Sequence, residues 1–269
     1  MCLLYMKKKL IIEVSRPKCS SFWHFMMGEF LPIISIILES GCNLIYLNNC
    51  KRKWDRLFDI FYKELPYKIY FTNKKKDDKN ISHDRWDLYL IGEKDKKRCE
   101  NAVNFLKRLS KKKYGLKTVD NNEILCLYRK NGKLNKLQKA ANGKKYGAER
   151  RSFQKFRTIH TIVDNIKYIN TDDLPLLKQI SCFIGYDKII LEHGAGMFFC
   201  LFMNENTKII EYIYKIQNPN RIPKLCGAFQ GLIRVANLKK FKLKRIVMEE
   251  NQTILDKKIE LFVKSYVLF

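Results

Sequence analysis

The four residues His193-Gly194-Ala195-Gly196 carry the clearest chemical possibility in this chain of 269 residues. They follow the β-rich run KIILE (188–192) and precede the apolar run MFFCLFM (197–203). A strand, a turn of small residues and a helix in succession leave the first backbone N–H groups of the helix uncovered. Those amides, with the helix dipole behind them, attract an anion. In an open parallel sheet such a turn lies at the carboxyl edge, where ligands bind. His193, at the lip, could donate a hydrogen bond to an oxygen of that anion. The same residues also suit a tight turn that packs a buried helix, with His193 a satisfied edge residue. Both readings stand on the residues alone, because a short glycine motif has low specificity.

Metal chemistry has no such signal. The four histidines, His24, His83, His160 and His193, are widely separated and no Asp-x-Asp pair occurs. The expectation is a site without a required metal or cofactor, with Mg or Mn dependence left open. The nine cysteines are scattered singly, with no Cys-x-x-Cys pair. That pattern fits reduced thiols in a cytosol-like compartment and neither a disulfide framework nor a zinc site.

The elements that must position the turn follow from periodicity. LIIEV (10–14), NLIYL (43–47), YKIYF (67–71) and WDLYLIG (86–92) read as strands. Helices are expected over 21–40, with Pro32 inside, over 53–65, and from after residue 92 through about 109. A charged loop, NKKKDDKN, separates two of these segments at 73–80. SKKKYGLKTVDNN (110–122) reads as a basic break and marks a domain boundary. The alternation then restarts with strands EILCLYR (123–129), IKYI (166–169), KIILE (188–192), KIIEYI (208–213) and LKRIVMEE (243–250). Helices are expected at 149–163, 172–185, after the HGAG turn, near 223–236 and over 253–267. Strand–helix alternation of this kind predicts parallel sheets with helices on both faces. The fold class is therefore α/β, with two Rossmann-like doubly wound domains, 1–112 and 113–269, in which the last helix could pack back on the first domain.

Composition bounds the partners. Hydrophobic residues make up 46% of the chain, enough to bury a core. The formal charge is +26, from 53 basic and 27 acidic residues, which points to an anionic partner. Abundant lysine, isoleucine and asparagine also fit AT-rich codon bias, in which case many lysines are only solvated surface. The opening MCLLYMKKKLIIEV is too short in its apolar part for a signal peptide. The longest apolar run, FLPIISIIL (30–38), is about half of a membrane span. The expectation is a cytoplasmic, soluble protein whose basic faces could touch a membrane surface.

The stretch from Ile169 to Tyr214 resembles glycosyltransferase family 61. The resemblance rests on Gln179, His193-Gly194-Ala195-Gly196, Phe202-Met203 and Ile210-Glu211, in the family's order of helix, strand, turn, helix and strand. Upstream, ILCLYRK (124–130) and ERRSF (149–153) are similar to the family's strand-end Arg and following Arg pair. FWHFMMGEFLPII (22–34) is similar to its helix with a His beside an aromatic and an acidic residue before Leu-Pro. The His-to-acid spacing is one residue longer here, residues 131–148 look like an insertion, and Met197 stands where Leu is common.

The resemblance implies a GT-B-like enzyme with an interdomain cleft, the second domain holding a nucleotide-diphosphate sugar and the first a glycan, glycoprotein or glycolipid acceptor. Transfer with inversion is implied as well. Arg129, Arg151, His193 and the amides of Gly194, Ala195 and Gly196 are the implied diphosphate ligands, since forked guanidinium contacts and oriented amides meet the charge of the leaving group. Glu29 and His24 are the implied candidates for the base that takes the acceptor proton. Five residues apart on an α-helix they are displaced by about 140°, so one of them is structural. Glu211, read as ending its strand at the same edge, is the implied acceptor of ribose hydrogen bonds; the alternative is a surface Glu on an edge strand. Two rival readings remain: a basic nucleic-acid-binding protein, disfavoured because the charge is spread with no recognition module, and a catalytically inactive scaffold of the same fold.

Overall fold

The computed structural model describes residues 9–13, 26–48, 57–58, 68–72, 81–82, 93–115, 118–120, 123–127, 165–171, 174–192, 195–214, 240–248, 261 and 265. The chain divides into two compact units, Met1–Gly115 and Leu116–Phe269.

In the first unit, strand β1 (Lys9–Glu13) is followed by a π-helical turn, Met26–Phe30, that runs directly into helix α1 (Leu31–Ser40). Then come β2 (Leu44–Asn48), β3 (Lys68–Thr72), the short β4 (Ile81–Ser82) and the long helix α2 (Glu93–Tyr114). The four strands pair in the order β3-β2-β1-β4, every pair parallel. The chain leaves β1 toward one side of the sheet and returns to β4 on the other, so the connections diverge at the carboxyl ends of β1 and β4.

Local chemistry fixes α1 and α2. Pro32 stands in the first turn of α1, just where the π-helical turn gives way to α-helix. Gly41 ends the helix at φ 62°, a left-handed position that glycine takes without strain. Leu31, Ile33, Ile34 and Ile37 are all buried, so α1 is a core helix. Arg98 of α2 forks onto Glu39 of α1, donating from Nε at 3.0 Å and from Nη2 at 2.9 Å. Cys99, Ala102, Val103, Phe105, Leu106 and Leu109 form the buried face of α2. Phe58 stacks edge-on against Phe30 at 5.1 Å and closes the core between the π turn and the sheet.

The second unit holds β5 (Ile124–Leu127), β6 (Ile166–Ile169), the short helix α3 (Leu176–Ser181), β7 (Lys188–Glu192), a 3-10 helix (Ala195–Phe202), β8 (Lys208–Tyr214) and β9 (Lys242–Met248). The order is β6-β5-β7-β8-β9, again all parallel. Counted within the unit this is the 2-1-3-4-5 order of a doubly wound fold, with its switch point between β5 and β7. All four residues of β5 are buried, as a central parallel strand requires. Both units are thus α/β with Rossmann-like parallel sheets.

The structure changes several sequence expectations. Helix α2 does not stop near 109 but continues through the basic SKKKY and ends at Gly115, φ 77°, whose N–H bonds to the Lys111 carbonyl. Lysines at 111–113 are helix formers and suit the negative end of the dipole, so basic composition did not mean linker. A strand the sequence did not announce, β4, is only two residues long and has no apolar run to signal it. The helix expected over 172–185 is confined to Leu176–Ser181, with Pro175 at its N-cap. The expected strand at 86–92, the loop at 73–80, and the helices at 149–163 and 223–236 lie outside the described residues. Of the helix at 53–65 only 57–58 is described, and of that at 253–267 only Leu261 and Ser265.

Cys42, Cys99, Cys126, Cys182 and Cys200 are free thiols. Among the described residues no group of three or more His, Cys, Asp or Glu side chains could hold a metal ion. Among them, too, no helix is long and apolar enough to cross a membrane.

Candidate active site

At the switch point of the second sheet, the ends of β5 and β7 are neighbours. Leu127, the last residue of β5, stands in register with Leu191 of β7. Two residues after Leu127 comes Arg129, and directly after Glu192, the last residue of β7, comes His193. The segments carrying Arg129 and HGAG therefore leave the sheet from neighbouring parallel strands at one edge. Arg129, Arg151, His193 and Gly194 themselves lie outside the described residues, as does His24.

Gly196 is described, and its environment explains its identity. A β-carbon built there would lie 2.5 Å from Cδ2 of Leu127 and 3.8 Å from its Cγ. The backbone that begins the 3-10 helix is pressed onto the end of β5 so closely that only glycine fits without displacement. This close approach holds the start of the helix over the switch point.

The same row of the sheet continues from Leu127 and Leu191 to Glu211 of β8 and then to Arg245 of β9. In-register residues of a parallel sheet share a face, so Glu211 projects to the side on which Gly196 meets Leu127. Glu211 is fully buried. Its carboxylate lies close enough to Cys200 that, after burial itself, it is the next cause holding that thiol above its ordinary range. The 3-10 helix thus runs across the strands, from Gly196 over β5 to Cys200 near β8. Four residues at ~2 Å rise cover about 8 Å, close to the ~10 Å of two inter-strand spacings. An α-helix would cover only about 6 Å. The tighter helix matches the width it must cross. Met197 through Met203 are almost wholly buried, and Phe199 stacks on Phe183 at 5.0 Å, which anchors the helix from the opposite side.

Glu211 was expected at the end of its strand and the sheet edge. It is instead the fourth of seven residues in β8, an inner strand between β7 and β9. The alternative, a surface Glu on an edge strand, fails for the same reason. The carboxylate presents no surface to solvent, so a ribose hydroxyl reaches it only where the covering chain moves aside.

Supporting contacts tie the site to its neighbours. Gln179 donates from Nε2 to the Leu174 carbonyl at 2.6 Å, which clamps the turn that enters α3. Its place in the motif thus has a structural use. The buried Tyr186 donates its hydroxyl to Glu123 at 2.9 Å, linking the approach to β7 with the start of β5. Burial, and then that hydrogen bond, raise the Tyr186 phenol above its ordinary range.

In the first unit, Glu29 sits in the π-helical turn Met26–Phe30 and is only 4% exposed. The turn lies in the β1–β2 connection. Single π turns interrupt α-helical geometry and are frequent at functional sites. The 140° argument for His24 and Glu29 assumed an unbroken α-helix and does not apply across this turn. At the carboxyl edge of the same sheet, Glu13, Asn48 and Thr72 stand side by side in register. Asn48 is 3% exposed, a buried polar residue at the end of β2. Sequence reasoning passed over it; its signal was an amide closing an apolar strand at the ligand-binding edge.

The profile of the Glycosyltransferase 61 family matches residues 22–210. That is well over half of the chain. The protein belongs to glycosyltransferase family 61. No curated protein matches the chain. The family match takes in His24, Glu29, Arg129, Arg151, Gln179 and the HGAG turn, and it stops one residue short of Glu211. Membership makes this a transferase that works on a sugar donor and an acceptor.

Proposed function

We propose that this family 61 glycosyltransferase moves a sugar from a nucleotide-diphosphate sugar to a hydroxyl of a glycan or glycoconjugate, with inversion, in a GT-B-like arrangement. The observation that carries the reading is the close seat of Gly196 on Leu127. It puts the first amides of a buried helix at the switch point, next to the strand end that leads to Arg129. The second unit then holds the donor and the first the acceptor.

In the reaction, an acceptor hydroxyl oxygen attacks the anomeric carbon from the face opposite the diphosphate. The bond from that carbon to the diphosphate oxygen breaks, and the diphosphate leaves with the electron pair. Arg129, Arg151, His193 and the amides of Gly194, Ala195 and Gly196 stabilise the developing charge, the term that contributes most in transfers of this type. The hydroxyl proton passes to the Glu29 carboxylate, with His24 as the second candidate base. Glu211 is buried, so its role toward the ribose hydroxyls of the donor requires the covering chain to move aside when the donor binds.

Thermal-shift screening against a panel of nucleotide sugars and free nucleoside diphosphates tests the reading. At least one donor should raise the melting temperature of the native chain, and Arg129→Ala or His193→Ala should abolish the shift. Equal shifts in native protein and both variants would remove these residues from the site.

A further inference from the structure

The exposed face of α2 is a strip of positive charge that the transferase reading does not use. Lys97, Asn101, Asn104, Arg108 and Lys112 are exposed at successive steps of three or four residues, with Lys111 half-buried beside them. They run along about 22 Å of helix at 1.5 Å per residue. From Asn101 to Tyr114 the helix carries no acidic residue. The helix dipole accounts for lysines in the last turn, since cations suit a helix C-terminus. It does not account for Arg108, a turn earlier; Lys97, near the positive end, stands between Glu93 four residues before it and Glu100 three after, at ion-pair spacings on a helix.

We infer that this face of α2 docks the protein on an anionic lipid bilayer. Four to eight basic residues on one helix face are a recognised basis for attraction to anionic lipid. The apolar face of α2 is already buried in the core, so contact is electrostatic and lies flat, without insertion. The strip has no aromatic side chain on which a base could stack, which separates it from single-stranded nucleic-acid platforms. Small amides at 101 and 104 leave the flanking cations free to reach a plane. The inference does not depend on the donor site.

Flotation of the full chain with phosphatidylcholine vesicles, with and without phosphatidylglycerol, tests it. Binding should require the anionic lipid and disappear in high salt. The triple variant Lys97→Gln, Arg108→Gln, Lys112→Gln should weaken it roughly 100-fold, from about 1 kcal/mol for each cation. A control neutralising three exposed lysines of the second unit, Lys167, Lys240 and Lys242, should retain binding. A charge-keeping variant, Lys97→Arg, Arg108→Lys, Lys112→Arg, should bind as the native chain does. Equal loss in the two neutralised variants would reduce the effect to net charge and overturn the assignment. So would absence of binding to anionic vesicles, or loss in the α2 variant of duplex DNA binding alone.

Discussion

Gly196 and Leu127 meet so closely that a β-carbon on the glycine would lie 2.5 Å from the leucine Cδ2. The contact joins the first turn of the 3-10 helix to the end of the central strand. Gly196→Ala forces the leucine tip to rotate within a packed core, which costs about 1–3 kcal/mol. Urea unfolding should show that loss, and donor-induced thermal shifts should shrink with it. Leu127→Ala in the same chain returns the space, so the double variant should lose less than the sum of the two singles by at least about 0.5 kcal/mol. Strict additivity would mean that the contact is not the constraint.

Glu29 offers a test that separates chemistry from binding. Glu29→Gln keeps the shape of the side chain at a position 4% exposed and exchanges one acceptor oxygen for an NH2 donor, so the fold should hold with a modest loss of stability. Loss of a general base lowers turnover by about 10²–10⁴-fold. Donor affinity, followed by thermal shift, should stay at the native value. A variant with native turnover would move the role to His24 or elsewhere.

Alkaline pH should destabilise the second unit. Cys200 is raised from an ordinary value of 9.0, first by burial and then by Glu211. Tyr186 and Tyr168 are raised from 10.0, in both cases chiefly by burial. The folded chain therefore holds these protons more tightly than the unfolded chain does. Their contribution is fully present below the unfolded values and is lost as pH rises past about 9 for the thiol and about 10 for the phenols. Melting temperatures measured from about pH 8 to 11 should fall across that window. Tyr186→Phe should flatten the upper part of the fall while lowering stability near neutrality by about 1 kcal/mol, the worth of its bond to Glu123. A flat profile in the native chain would contradict the assignment.

The fork between Arg98 and Glu39 joins α2 to α1, but Glu39 is 41% exposed, so water competes for it. Arg98→Lys removes the second donor and should cost at most about 1 kcal/mol in denaturant unfolding, less at high salt. A loss of several kcal/mol would mean that Arg98 carries packing beyond this pair.

Strand positions were legible because β-branched and aromatic residues cluster at them; LIIEV, NLIYL and YKIYF each lie within one residue of β1, β2 and β3. Strand order was not, since periodicity records which face is apolar and not which strands are neighbours. The turn HGAG announced a tight backbone, but the reason for Gly196 lies in Leu127, far away in sequence. The helix that follows is uniformly apolar, so nothing in its pattern distinguishes a 3-10 from an α-helical path. Glu211 misled for a related cause. A carboxylate in a strand reads as solvent-facing, and only the covering helix shows that it is interior.

Because every strand pairing among the described residues is parallel, no edge of either sheet is built from a local hairpin. Strand β5 gains its neighbour β7 only after a long stretch of chain has been made, and the row through Leu127, Leu191 and Glu211 closes later still. Long-range closures of this kind are slow. In the proposed reading the grip on a phosphate therefore arrives late, and a chain stopped before Phe202 would lack β8 and β9 as well as the end of the 3-10 helix.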